Sequence, residues 1–172
     1  MKYLLVCAIG LLLLFAAACQ KENSQMARTE LRNAQGEVVG NATFTQTGDG
    51  VKIDLQVSKM TPGLHGVHIH EVGKCEPPAF TTAGGHFNPD SKHHGAKNPQ
   101  GEHNGDLGNF TVGADGTAKV SLTDKNVTIG PGTKSLFQPN GTSLVIHQGT
   151  DDEMSDPAGN SGPRVACGVI KQ

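Results

Sequence analysis

Apolar and polar residues alternate in short stretches along this chain and nowhere recur at a sustained helical spacing. Val51, Ile53, Leu55 and Val57 are separated by Lys52, Asp54 and Gln56, which places one face of an extended segment in a core and the other in water. Ala34-Gln35-Gly36 and Gly48-Asp49-Gly50 before it, and Asp115-Gly116 further on, read as hairpin turns. The pattern predicts strands over about 27–33, 37–46, 51–58, 65–71, 105–112, 117–123, 142–147 and 164–170. Eight short strands of this kind predict an all-β domain, an antiparallel sandwich or Greek-key β-barrel. Three stretches, 72–104, 124–141 and 148–163, break the strand rhythm. The first is of a length that compact domains reserve for function.

The first 18 residues follow a different pattern. Lys2 precedes Leu4, Leu5 and the run Leu11 to Phe15, and small residues lead up to Cys19. A cationic start, a short apolar stretch and a small-residue cleavage zone describe an export segment, residues 1–18, too short to span a bilayer. Cys19 follows Ala16-Ala17-Ala18, which resembles a bacterial lipobox with Ala16 where Leu is usual. The segment thus reads as a lipoprotein signal peptide, with 19–27 a lipidated N-terminus and tether and 28–172 the folded domain. That expectation puts the protein in the cell envelope, held to a membrane by an acylated Cys19 on a periplasmic or extracellular face. Ordinary cleavage, leaving Cys19 as a free thiol, is the alternative.

Composition sharpens the picture in two places. The chain has no Trp, its one Tyr (Tyr3) falls in the export segment, and it carries 23 Gly in 172 residues. Such a lean core needs help from crosslinks or metals. The formal net charge is −2, with no basic stripe, which excludes a nucleic-acid-binding function. Once Cys7 and Cys19 are set aside, Cys75 and Cys167 remain, an even pair in an oxidising compartment that is either a disulfide or two thiols.

All eight histidines lie between residues 65 and 147. His68 and His70 are two apart on a predicted strand and share a face, with Val67 and Ile69 on the other. His147 sits similarly on another strand, opposite Leu144 and Ile146. The long loop adds His86, His93, His94 and His103, and Asp106 follows closely. Three imidazoles and a carboxylate suit zinc, and four imidazoles suit copper. Any one of these histidines alone reads as a polar loop residue; together they read as a metal centre.

Four motifs resemble those of copper, zinc superoxide dismutase, in order and in spacing, over about 28–170. They are Gly63-Leu64-His65-Gly66-Val67-His68-Ile69-His70, Ala83-Gly84-Gly85-His86-Phe87-Asn88-Pro89, Gly105-Asp106-Leu107-Gly108-Asn109, and Gly159-Asn160-Ser161-Gly162-Pro163-Arg164-Val165-Ala166-Cys167-Gly168. The resemblance implies an eight-stranded Greek-key barrel with long metal-binding and electrostatic loops, which agrees with the strand count. It implies copper on His68, His70, His86 and His147, and zinc on His86, His94, His103 and Asp106, with His86 bridging the two. His94 rather than His93 is selected because the family's ligand precedes a Gly, here Gly95. His65 has no ligand counterpart and is expected to be structural. Asp151 matches a carboxylate that links a copper ligand to a zinc ligand, Cys75 and Cys167 match the family's disulfide, and Arg164 matches the residue that attracts substrate.

The implied activity is dismutation of superoxide to oxygen and hydrogen peroxide in two half-reactions, with His86 taking up a proton between them. Val67 departs from a common Phe, and the acidic stretch 148–163 lacks the basic residues that guide substrate in some members. Two other functions compete with dismutation: a non-catalytic envelope lipoprotein that binds copper and zinc, and an adhesion module. The complete set of ligand residues favours the enzyme over the first, and the histidine-rich loop has no use in the second. Monomer and homodimer are both compatible with the sequence.

Overall fold

The computed structural model describes residues 25–172, so the expected export segment and Cys19 lie outside the described residues. Eight strands form: β1 (Met26–Asn33), β2 (Val38–Thr47), β3 (Gly50–Val57), β4 (Gly63–His70), β5 (Asp106–Val112), β6 (Ala118–Asp124), β7 (Ser143–His147) and β8 (Arg164–Val169). Each predicted strand is present, with ends displaced by no more than two residues. One antiparallel sheet runs in the order β5-β4-β7-β8-β1-β2-β3-β6, and β5 and β6 approach each other without a shared ladder, so the barrel is nearly closed. Among the described residues no helix is long and apolar enough to cross a membrane.

The alternation read in the sequence is the one that folds. Val51, Ile53, Leu55 and Val57 of β3 are buried and meet Leu31, Phe44, Val67, Ile69, Leu144 and Ile146 inside the barrel. Because side chains alternate, β4 turns Val67 and Ile69 into this core and His68 and His70 to the opposite face. The long loop has a small core of its own: Phe80 and Ala83 pack against Val145 and Cys167.

A disulfide joins Cys75 of that loop to Cys167 of β8, with Cα atoms 5.6 Å apart and a separation of 92 in sequence. Closing so long a loop removes conformational entropy from the unfolded chain. The Cys75→Ser/Cys167→Ser double variant should lose up to about 4.5 kcal/mol of stability. Thermal unfolding should register this as a drop of roughly 10–15 °C.

Asp124, expected in a loop, instead ends β6 as a buried carboxylate opposite Val51, with Oδ1 accepting the Asn126 N–H at 2.8 Å and Oδ2 unpartnered. Burial pushes this carboxyl up to about 7, helped by the nearby charges of Glu102 and Asp106 and opposed by the Asn126 N–H. The folded chain therefore keeps a proton that the unfolded chain releases near pH 4. This group's contribution to stability falls as pH rises from about 4 to about 7 and stays lost above that. Asp124→Asn should raise stability by about 1–3 kcal/mol at pH 8 and change it little at pH 4. Denaturant melts at the two pH values measure the difference.

Candidate metal centre

His68 and His70 project from β4, His147 ends β7, and His86 follows the short 3-10 turn Thr81–Ala83, whose chain is bridged to β4 through the His70–His86 backbone pair. All four side chains are buried, and one nitrogen from each lies within 4.8 Å of the others. The other nitrogen of each ring is occupied. His70 Nδ1 donates to Gly84 O at 3.0 Å, and His147 Nδ1 donates to Gly162 O at 3.0 Å. His68 Nε2 donates to Asp151 Oδ2 at 2.7 Å, and His86 Nδ1 faces Asp106 Oδ1 at 2.7 Å. What remains is a converging set of lone-pair positions: His68 Nδ1, His70 Nε2, His86 Nε2 and His147 Nε2 are buried with no hydrogen-bond partner.

An unpaired buried polar atom costs about 1–3 kcal/mol, so a fold does not gather four at one point unless something else satisfies them. Burial also keeps these rings unprotonated. It pulls His68 down to about 3 and His147 to about 4, and lowers His70 and His86, with the neighbouring rings adding repulsion and, at His70 and His147, the Arg164 charge as well. Neutral imidazoles with their lone pairs converging are the form a copper ion requires.

A second group adjoins the first through His86. Asp106 Oδ2 accepts the backbone N–H of Gly95 at 2.8 Å and of His103 at 3.0 Å. His94 is fully buried between two carboxylates, with Nδ1 3.1 Å from Asp106 Oδ2 and Nε2 2.9 Å from Asp151 Oδ1. Burial favours the neutral ring here too, but Asp106 and Asp151 outweigh it and push His94 up to about 10. Burial likewise works against the charge on Asp106 and Asp151, yet hydrogen bonds from the surrounding rings and backbone hold both well below the usual carboxylate range. This end of the centre is built to hold positive charge.

His103 Nδ1 lies 3.3 Å from Asp106 Oδ1 and 3.4 Å from His86 Nδ1. It stands slightly outside the tightest grouping, which joins His68, His86, His94 and Asp106 within 4.8 Å. His68, however, already spends Nε2 on Asp151 and turns Nδ1 toward the four-imidazole set. That leaves His103 as the ring with a nitrogen to offer beside Asp106. His93 is exposed and pairs with Asp156 at 2.6 Å, apart from both groups. His65 is buried with Nδ1 2.8 Å from His147 O and Nε2 2.8 Å from Thr61 O, so neither nitrogen is free for a metal.

Asp151 touches both groups at once, through His68 and His94. It is itself clamped by Asn109, whose amide gives a hydrogen bond to Asp151 O and takes one from Asp151 N–H, each 2.8 Å. Gly159 has φ +60, and a Cβ there would overlap Asp151 Oδ1 and crowd His94 Nε2, so only glycine lets this loop close over the carboxylate. Arg164, at the start of β8, donates from Nη1 to Phe80 O and from Nη2 to Gly84 O, both at 2.7 Å. It lines an open cavity of about 430 Å³ with Pro78, Ala79, Thr81, Gly162 and Pro163. Gly84 O thus receives both Arg164 and His70, coupling the cation at the mouth to a ring of the cluster. The carbonyls of Phe80, Gly84 and Gly162, which hold Arg164, His70 and His147, have no side-chain signature in the sequence, and Asn109 shows there only as a motif residue.

Comparison with known proteins agrees with this geometry. Residues 38–170 match the family described as copper/zinc superoxide dismutase. "Superoxide dismutase [Cu-Zn] 2" of Aquifex aeolicus is 46% identical over 173 residues, covering 99% of this chain and all of that protein. Among solved structures, a SOD-like protein from Bacillus subtilis superposes with TM-score 0.80 at 36% identity, covering 83% of this chain and 96% of that one. The Cu/Zn superoxide dismutase from Brucella abortus superposes with TM-score 0.72 at 30% identity, covering 86% of this chain and 100% of that one. The fold and the paired site define a two-metal β-barrel protein. The chain belongs to the copper/zinc superoxide dismutase family.

Proposed function

We propose that the chain dismutates superoxide to oxygen and hydrogen peroxide with copper held by His68, His70, His86 and His147, and with zinc held by His86, His94, His103 and Asp106. Copper, when bound, supplies the one-electron acceptor and donor for successive superoxide anions, and zinc supplies fixed positive charge beside it. The protein contributes approach, orientation and protons. Arg164 draws the anion to the cavity mouth, its guanidinium held in place by two carbonyls. His86 presents Nε2 to one group and Nδ1 to the other, and Nε2 carries a proton toward the departing peroxide. Asp151 fixes the rings of His68 and His94 in the orientation that leaves their Nδ1 atoms free. The observation that carries this reading is the set of buried unpartnered imidazole nitrogens pointing at one another.

The whole protein is net negative and its substrate is an anion, so the local field at Arg164 must prevail over the global charge. Assay of protein loaded with copper and zinc tests the function: dismutation that requires copper supports it. A loaded protein with both metals bound and no dismutation would leave the metal-binding lipoprotein as the better account.

The pattern of residues 1–19 supports export and membrane attachment through an acylated Cys19 as part of the same reading. In bacterial cells the Cys19→Ser variant should lose its acyl chains and move from the membrane to the soluble fraction, with specific activity unchanged. Fractionation followed by mass spectrometry of the N-terminal peptide checks this.

A further inference from the structure

A second cavity, of about 350 Å³, reaches the metal centre and shares no lining residue with the one at Arg164. Four carboxylates line it, Glu102, Asp106, Asp151 and Glu153, with no lysine or arginine among the lining residues. The two aspartates belong to the metal centre and their side chains are nearly buried, at 4% and 1% exposure, whereas Glu153 is 27% exposed. Glu102 Oε1 accepts the Asn126 amide at 2.9 Å, and Glu153 Oε1 accepts the Asn109 amide at 3.2 Å. Glu153 Oε2 lies 3.2 Å from Nζ of Lys97, a solvent-exposed side chain. Beside Asp106 Oδ2 stands His94 Nδ1, 3.1 Å away, fully buried and without a hydrogen-bond partner.

Low-dielectric walls of one sign concentrate ions of the other. The Arg164 cavity selects anions and repels a divalent cation. The acidic cavity does the reverse, and carboxylate oxygens exchange readily with the water shell of such an ion. The geometry points to the acidic cavity as the path by which zinc reaches its site, with Glu102 and Glu153 as transient cation-holding residues at its outer part. Substrate and structural metal then use separate openings of opposite charge. This rests on the assignment of His94 and Asp106 to zinc.

The test mixes metal-free full-length protein with Zn(II) alone in a stopped-flow instrument and follows uptake by competition with a chromogenic chelator. Cobalt(II), through its ligand-field absorption, reports arrival at the site itself. Glu102→Gln/Glu153→Gln should take up zinc roughly tenfold more slowly than wild type, with a weaker dependence on ionic strength and the same final zinc content. Lys97→Gln, which removes the cation beside Glu153, should take it up about two- to threefold faster. Uptake rate and salt dependence unchanged in the double variant would overturn the path. If the double variant fails to fold, an unchanged rate in Lys97→Gln overturns it instead. A His94→Ala protein that acquires zinc as fully as wild type would overturn the zinc assignment, and the path with it, and so marks a different failure.

Discussion

Arg164→Glu is expected to slow dismutation by about 100-fold while copper and zinc remain bound. The guanidinium is held by Phe80 O and Gly84 O at the edge of the cavity, so its charge sits at a defined place beside the opening proposed for the anion. Reversal turns an attractive local field into a repulsive one in a chain that is already net negative. Loss of rate alone would not separate electrostatics from disturbance of the loop, since the same residue also ties down the two carbonyls. The salt dependence does. The wild-type rate should fall as ionic strength rises, and that of Arg164→Glu should rise, because screening now weakens repulsion. Arg164→Lys should recover much of the rate, its charge kept though the paired contacts are lost. Metal analysis with steady-state rates at several salt concentrations decides the matter, and an unchanged rate removes Arg164 from the mechanism.

His86→Ala is expected to have the larger effect, a loss of dismutation of about 1,000-fold or more. Its two nitrogens face the two halves of the centre, with Nδ1 2.7 Å from Asp106 Oδ1 and Nε2 in the group with His68, His70 and His147. Truncation removes a nitrogen from both halves and, with it, the proton carrier proposed between them. Zinc affinity and the copper spectrum should therefore change together, whereas His147→Ala should disturb copper and leave zinc in place. Titration with each metal, followed by optical and electron paramagnetic resonance spectra, distinguishes the two. A His86→Ala protein with zinc affinity intact would mean that its Nδ1 does not serve that side.

Much of this centre is legible in the chain because strand geometry is so regular. The alternation at Val51 to Val57 gives the core face of β3, and the same period at His68 and His70 turns both rings away from that core. The loop ligands are different: only likeness of motif separates His94 from His93, and the structure supplies the cause, since His93 is exposed and spends its ring on Asp156 while His94 is buried between two carboxylates. The backbone groups that hold His70, His147 and Arg164 in place are illegible for a physical reason. Gly84 O, Gly162 O and Phe80 O are backbone atoms that any residue type would bring, and their use depends on loop paths that local sequence does not encode. Asp124 is missed in the opposite direction, a carboxylate in a turn-like stretch that the end of β6 carries into the interior. His103 shows where spacing reaches its limit, placed near Asp106 by three residues of separation yet distinguished from His68 only by counting what each nitrogen already does.

In the proposed centre one imidazole, His86, stands between two metal ions. Crystals of the copper- and zinc-loaded protein, with anomalous diffraction collected at the absorption edge of each metal, test it most directly. A copper peak is expected beside His86 Nε2 among His68, His70 and His147, and a zinc peak beside His86 Nδ1 next to His94, His103 and Asp106. Peaks elsewhere, or a single metal with one His86 nitrogen left uncoordinated, would contradict it.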